Sequence, residues 1–146
     1  MRLNDAGRIV AEEWSVCANA YTHVVCDAHV VMPNHFHGIF VFTDRVGAIH
    51  ESPLQTPEQM SRNQRRNMGL SKLMGRFKMC SGKRINALRN TLGSAVWQRN
   101  YYEHIIRNEA SLNRIRQYIF DNPVRWTFDR ENPAATTPEP KDAWQI

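Results

Sequence analysis

Two histidines, His35 and His37, flank one phenylalanine in the run Val30-Val31-Met32-Pro33-Asn34-His35-Phe36-His37-Gly38-Ile39-Phe40-Val41-Phe42. Side chains alternate between the faces of a strand, so His35, His37, Ile39 and Val41 project one way and Phe36, Phe40 and Phe42 the other. The phenylalanines can bury under helices while both imidazoles stand side by side on the opposite face. Neutral imidazole is the commonest protein metal ligand, and two on one strand form half of a metal site. Such a pair is also a common satisfied surface or core feature, so it has to be weighed with what lies eighty residues downstream. There, Tyr118 and Asn122 are four residues apart in a helical stretch, hence neighbours on one face. An Asn oxygen is a hard ligand which, added to two imidazoles, gives a three-ligand open site suited to Mg²⁺ or Mn²⁺. Tyr118, one turn away, would reach a phosphate held there.

The elements that must position these groups are legible in order. Asn4 or Asp5 can cap a helix over about residues 6–17, with Ile9, Val10, Trp14 and Cys17 as its apolar stripe. The β-branched run from His23 to Met32 predicts a buried strand. Pro33-Asn34 then turns the chain, so the histidine strand runs back antiparallel and ends near Thr43-Asp44. Residues 45–69, with Gly47, Pro53, Pro57, Gly69 and the cluster Arg62, Arg65, Arg66, predict a long loop, either a solvated insertion or a nucleic-acid arm. Leu70, Leu73, Met74, Phe77, Ile85 and Leu88 recur at helical spacing and predict one amphipathic helix, with a kink at Ser81-Gly82 as an option. Its cations, Lys72, Arg76, Lys78, Lys83, Arg84 and Arg89, fit a solvated face or contacts to phosphate equally well. Residues 95–107 are aromatic and β-prone and predict a further strand, on which Trp97, Tyr101 and Tyr102 are either core or stacking platforms for unpaired bases. A last helix is predicted over about 111–121, ended by Pro123 because the residue before proline is driven from the α region. Beyond Trp126 the chain is proline-rich and polar, which predicts a domain over residues 1–128 and a disordered tail over 129–146.

Composition bounds the function. A chain of 146 residues with 42% hydrophobic content suits one domain with a real core. Nineteen Lys and Arg against fourteen Asp and Glu leave a net charge of +5, which favours a polyanionic partner, with nucleic acid first. Cys17, Cys26 and Cys80 are odd in number and lack C-x-x-C spacing, which argues against a disulfide framework and a cysteine zinc site. No apolar run approaches the ~18 residues of a membrane span and no signal-peptide core is present, so a soluble cytoplasmic protein is expected. No Gly-rich phosphate loop suggests a nucleotide cofactor.

Three ordered motifs together carry a resemblance. Met32-Pro33-Asn34-His35-Phe36-His37-Gly38-Ile39, then Trp97-Gln98-Arg99-Asn100-Tyr101-Tyr102-Glu103-His104, then Tyr118-Ile119-x-x-Asn122-Pro123-Val124-Arg125 resemble the single-tyrosine IS200/IS605-like transposases of the HUH endonuclease superfamily. The REP-associated tyrosine transposases are the narrower likeness, over about residues 3–126. The resemblance implies a ferredoxin-like α+β fold, with His35, His37 and Asn122 as metal ligands and Tyr118 as the nucleophile. Single-stranded or hairpin DNA would be cleaved and rejoined through a 5′-phosphotyrosine, with Arg76, Lys78, Lys83, Arg84 and Arg99 as DNA contacts and Lys78 as a candidate helper for the tyrosine. A homodimer, with the tyrosine acting within or across protomers, is left open. In that family a strand precedes the segment matching Met1-Arg2-Leu3-Asn4, so a three-stranded sheet with a vacant central place is expected. Two other readings stand beside it: a DNA-binding remnant without catalysis, and a metal-dependent nuclease that uses water.

Overall fold

In the computed structural model, residues 2–21, 24–43, 69–129 and 132–135 are described. Residues 45–68 of the loop expected over 45–69, and residues 136–146 of the expected tail, lie outside them, while Gly69 begins a helix. The order of elements is helix α1 (Asp5–Asn19), strands β1 (Val24–Val31) and β2 (Phe36–Phe42), helices α2 (Gly69–Arg89) and α3 (Glu109–Arg125), and a 3₁₀ turn (Trp126–Phe128). The fold is α+β. Among the described residues the sheet has two antiparallel strands, and helices cover both of its faces.

Helix α1 starts where Asn4 accepts a hydrogen bond from the Gly7 amide at 2.8 Å, satisfying one of the orphan donors of the first turn. Its stripe of Val10, Trp14 and Cys17 is buried against Leu73, Phe77 and Ile85 of α2. Trp14 stacks on Phe40 with ring centroids 3.8 Å apart, and meets Phe36 at 4.7 Å and Phe77 at 5.3 Å. The phenylalanine face of β2 is therefore the core face, as its alternation predicts. Gly38 lies on this face. A Cβ there would overlap Trp14 Cζ2 and stand 2.7 Å from Cη2 of the same buried ring. Gly38→Ala is therefore expected to destabilise the fold by about 1–3 kcal/mol through overpacking, read as a lowered urea midpoint with an unchanged m-value.

β1 pairs Val24–Cys26 with Phe42–Phe40 and His29–Val31 with Gly38–Phe36, leaving one extra residue at Asp27-Ala28. This bulge shifts the alternation of β1, so that Val24, Cys26, His29 and Val31 all turn to the core face. It also frees Asp27 to meet Arg116 of α3, whose Nε and Nη2 donate to both carboxylate oxygens at 2.6–3.1 Å. That fork pins α3 to the second face of the sheet, two residues from Tyr118.

Two sequence expectations need correction. Residues 95–107 form no strand, because side chains of α2 take up the carbonyls that a ladder would use. Asn86 Nδ2 donates to Ser94 O at 2.8 Å, and Lys78 Nζ donates to Gln98 O and Asn100 O at 2.9 and 3.0 Å. Trp97 Nε1 donates to the fully buried Ser81 Oγ, so residues 94–101 lie as a strap along α2. The sheet accordingly has two strands among the described residues where three were expected. Nor does Pro123 end the last helix, which continues to Arg125. Proline's own φ is helical, and the restricted residue before it, Asn122, is held by its burial. Helix α2 runs through Ser81-Gly82 as one element, Ser81 Oγ donating back to Phe77 O at 2.6 Å.

Candidate functional site

β2 and α3 bring together three of the four residues singled out for chemistry, and the fourth lies on the same helix face. His37 pairs with Val30 across the ladder, and its contact with Tyr118 puts its ring on the α3 side of the sheet. His35 and His37 share that side, their rings edge to face with centroids 4.8 Å apart. Tyr118 comes down onto them from α3. Its Oη lies 3.4 Å from His37 Nε2, at the outer limit of a hydrogen bond, and the two rings are T-shaped at 5.3 Å. His35 Nδ1 is 2.6 Å from Asn34 Oδ1, so the turn residue orients the first ring of the pair.

One helical turn beyond Tyr118, Asn122 is 1% exposed, and its Nδ2 has no hydrogen-bond partner among the described residues. An unsatisfied buried amide group costs about 1–3 kcal/mol.

Burial pushes the His37 imidazole down to about 4, with His35 acting in the same direction and the Asp129 carboxylate in the opposite one. At neutral pH the ring is uncharged, and one nitrogen keeps a lone pair for a ligand or a proton. Asp129 was not singled out in the sequence, where it opens the expected tail, yet it is buried. Trp126 was likewise missed as a neighbour of the pair, its ring standing 6.3 Å from that of His35. A signal for both exists: residues 118, 122, 126 and 129 continue one helical face, and extending the helix past Pro123 reveals it.

The five cations assigned to DNA are divided by the structure. Arg84 bridges α2 to α1 through Glu12 and Glu13 at 2.7 and 2.8 Å. Lys78 holds the strap carbonyls and sits 5.4 Å from the centre of the Tyr101 ring, and burial lowers its pKa. Both serve the α2 side of the sheet, so Lys78 is not placed beside Tyr118. Arg76, Lys83 and Arg99 are exposed. Among the described residues, no three His, Cys, Asp or Glu side chains come together as a metal site. Among the same residues, no helix is long and apolar enough to cross a membrane. Cys17, Cys26 and Cys80 are free thiols.

No family model matches the chain, and no solved structure matches it. An uncharacterized protein of Haemophilus influenzae is 37% identical to it over 130 residues, which cover 89% of this chain and 71% of the other. The aligned stretch is long enough to take in most of α1 through α3, and so the chain belongs to the same family as that Haemophilus influenzae protein.

Proposed function

We propose that the protein is a metal-dependent DNA transesterase of the single-tyrosine HUH type, acting on single-stranded or hairpin DNA, with a fold that is a ferredoxin-like variant. One observation carries the reading: a tyrosine hydroxyl 3.4 Å from the second histidine of a His-Phe-His strand. The fit of a divalent cation is supported by the donor set. His35 and His37 supply nitrogen, His37 is uncharged at neutral pH, and Asn122, one turn from Tyr118 on the same helix face, can supply its neutral amide oxygen. These three residues would hold Mg²⁺ or Mn²⁺ and leave places for phosphate oxygens. When bound, the ion supplies charge neutralisation on the non-bridging oxygens of the scissile phosphate.

The chain's own residues do the rest. α3, fixed to β1 by Arg116 and Asp27, carries Tyr118 to the imidazole face and holds its hydroxyl in place. Tyr118 Oη forms a bond to phosphorus as the bond to the 3′ oxygen breaks. The phenol proton leaves to water and the departing 3′ oxygen gains one, so each bond is exchanged for an equivalent one. The phosphodiester energy is kept in a 5′-phosphotyrosine, and a 3′ hydroxyl can reverse the step without ATP. A phenol with an ordinary pKa near ~10 needs activation, which a cation held by the histidines would supply by favouring the phenolate.

The test is a denaturing gel of the protein with hairpin-bearing single-stranded DNA and Mn²⁺. A protein–DNA adduct that resists denaturation and is absent in EDTA is the expected result. Cut DNA without an adduct would select the water-using nuclease, and hairpin binding without cutting would select the DNA-binding remnant.

A further inference from the structure

On the opposite side of the sheet from Tyr118, α2 and its strap flank a shallow, open groove of about 370 Å³. Its walls include Met79, Lys83, Gly93, Val96, Trp97 and Gln98. The groove is a built feature. Lys78, Ser81 and Asn86 fall on successive turns of α2, and each spends its polar group on the strap, fixing Gln98 and Asn100, Trp97, and Ser94 in turn. With those three committed inward, the groove presents two kinds of side chain outward. Met79 is 67% exposed, a large apolar side chain on the rim with nothing covering most of it. Lys83, one turn further along the helix, is exposed. Arg99 is exposed just beyond Gln98 on the strap.

We infer that this groove takes one unpaired nucleotide of single-stranded DNA, its base against Met79 and the Val96-Trp97 floor and its phosphate at Lys83. The inference rests on the reading of the protein as acting on DNA. Three points favour this occupant. The volume of about 370 Å³ falls at the low end of the range for small-ligand sites, which suits one nucleotide. An apolar platform beside a cation is the chemistry that holds single strands without reading sequence. The chain carries a net charge of +5, complementary to a phosphodiester backbone. The slot would thus anchor flanking DNA on one face of the sheet while the tyrosine works on the other, and of the cations on α2 it selects Lys83 in place of Arg84 or Lys78.

The experiment uses the full chain carrying Tyr118→Phe, without divalent metal, titrated into a fluorescein-labelled twelve-residue oligothymidylate and followed by anisotropy. Met79→Ser and Lys83→Gln should each raise the Kd by about fivefold to tenfold, while Arg89→Gln, a cation on another face of the same helix, should leave it within about twofold. A twelve-residue abasic strand should bind the unsubstituted groove more weakly than the oligothymidylate, and Met79→Ser should narrow that difference. An unchanged Kd in Met79→Ser, or an equal loss in Arg89→Gln and Lys83→Gln, would overturn the slot in favour of diffuse charge. The adduct gel separates this from the tyrosine chemistry. Groove variants that weaken binding when the wild type gives no adduct leave the slot standing and remove the transesterase. An adduct with groove variants of unchanged affinity does the reverse.

Discussion

Tyr118→Phe is expected to abolish the covalent protein–DNA adduct and to lower strand cleavage on the order of 10⁴-fold or more, the scale seen when a covalent nucleophile is removed. The substitution deletes one oxygen. In the resting structure that oxygen lies 3.4 Å from His37 Nε2, at the outer limit of a hydrogen bond, and losing so long a bond should cost the fold about 1 kcal/mol. The melting temperature and the affinity for DNA should therefore stay close to those of the wild type while the chemistry disappears. Tyr101→Phe and Tyr102→Phe are the matched controls. Tyr101 is occupied on the α2 side, 3.3 Å from Ser71 Oγ and beneath the Lys78 ammonium, and Tyr102 is 91% exposed. Neither touches the histidine pair. An adduct that survives Tyr118→Phe and is lost at Tyr101 or Tyr102 would move the nucleophile to the strap.

The second large effect concerns the histidines. His35→Ala and His37→Ala should each reduce Mn²⁺-supported cleavage on the order of 10²-fold to 10⁴-fold, with salt-sensitive DNA binding retained, because binding draws on cations elsewhere. Cleavage by the wild type in EDTA should fall to the level of these variants. His37→Ala also removes a half-buried ring packed on Tyr118, so His35→Ala is the cleaner comparison for chemistry alone. Cleavage that continues unchanged in EDTA would contradict a metal role for the pair.

Much of this arrangement was legible in the sequence because it is local. Period-two alternation placed both imidazoles on one face and the phenylalanines on the other, and the structure keeps that division. Helical spacing found α1 and α2, and Asn4 caps the former. What was not legible depends on partners distant in sequence. The β-prone strap fails to become a strand because Lys78 and Asn86, eight to twenty-two residues away, capture its carbonyls, and β-propensity yields to such context. Arg84 and Lys78 also meet partners distant in sequence, Glu12 and Glu13 for the one and the strap carbonyls for the other. The bulge at Asp27-Ala28 and its fork to Arg116 join positions 89 apart, which no window along the chain contains. Stopping the last helix at Pro123 hid Trp126 and Asp129, which lie near His35 and His37 respectively.

The most direct measurement is the identity of the residue that carries the DNA. After reaction with hairpin-bearing single-stranded DNA and Mn²⁺, the adduct is digested with nuclease and then with trypsin, and the modified peptide is located by mass spectrometry. Tyr118 and the strap tyrosines fall on separate tryptic peptides, Gln117 to Arg125 and Asn100 to Arg107. The account predicts a nucleotide phosphate on the first, at Tyr118. A modification on the second peptide, or cleaved DNA with no modified peptide at all, would contradict it.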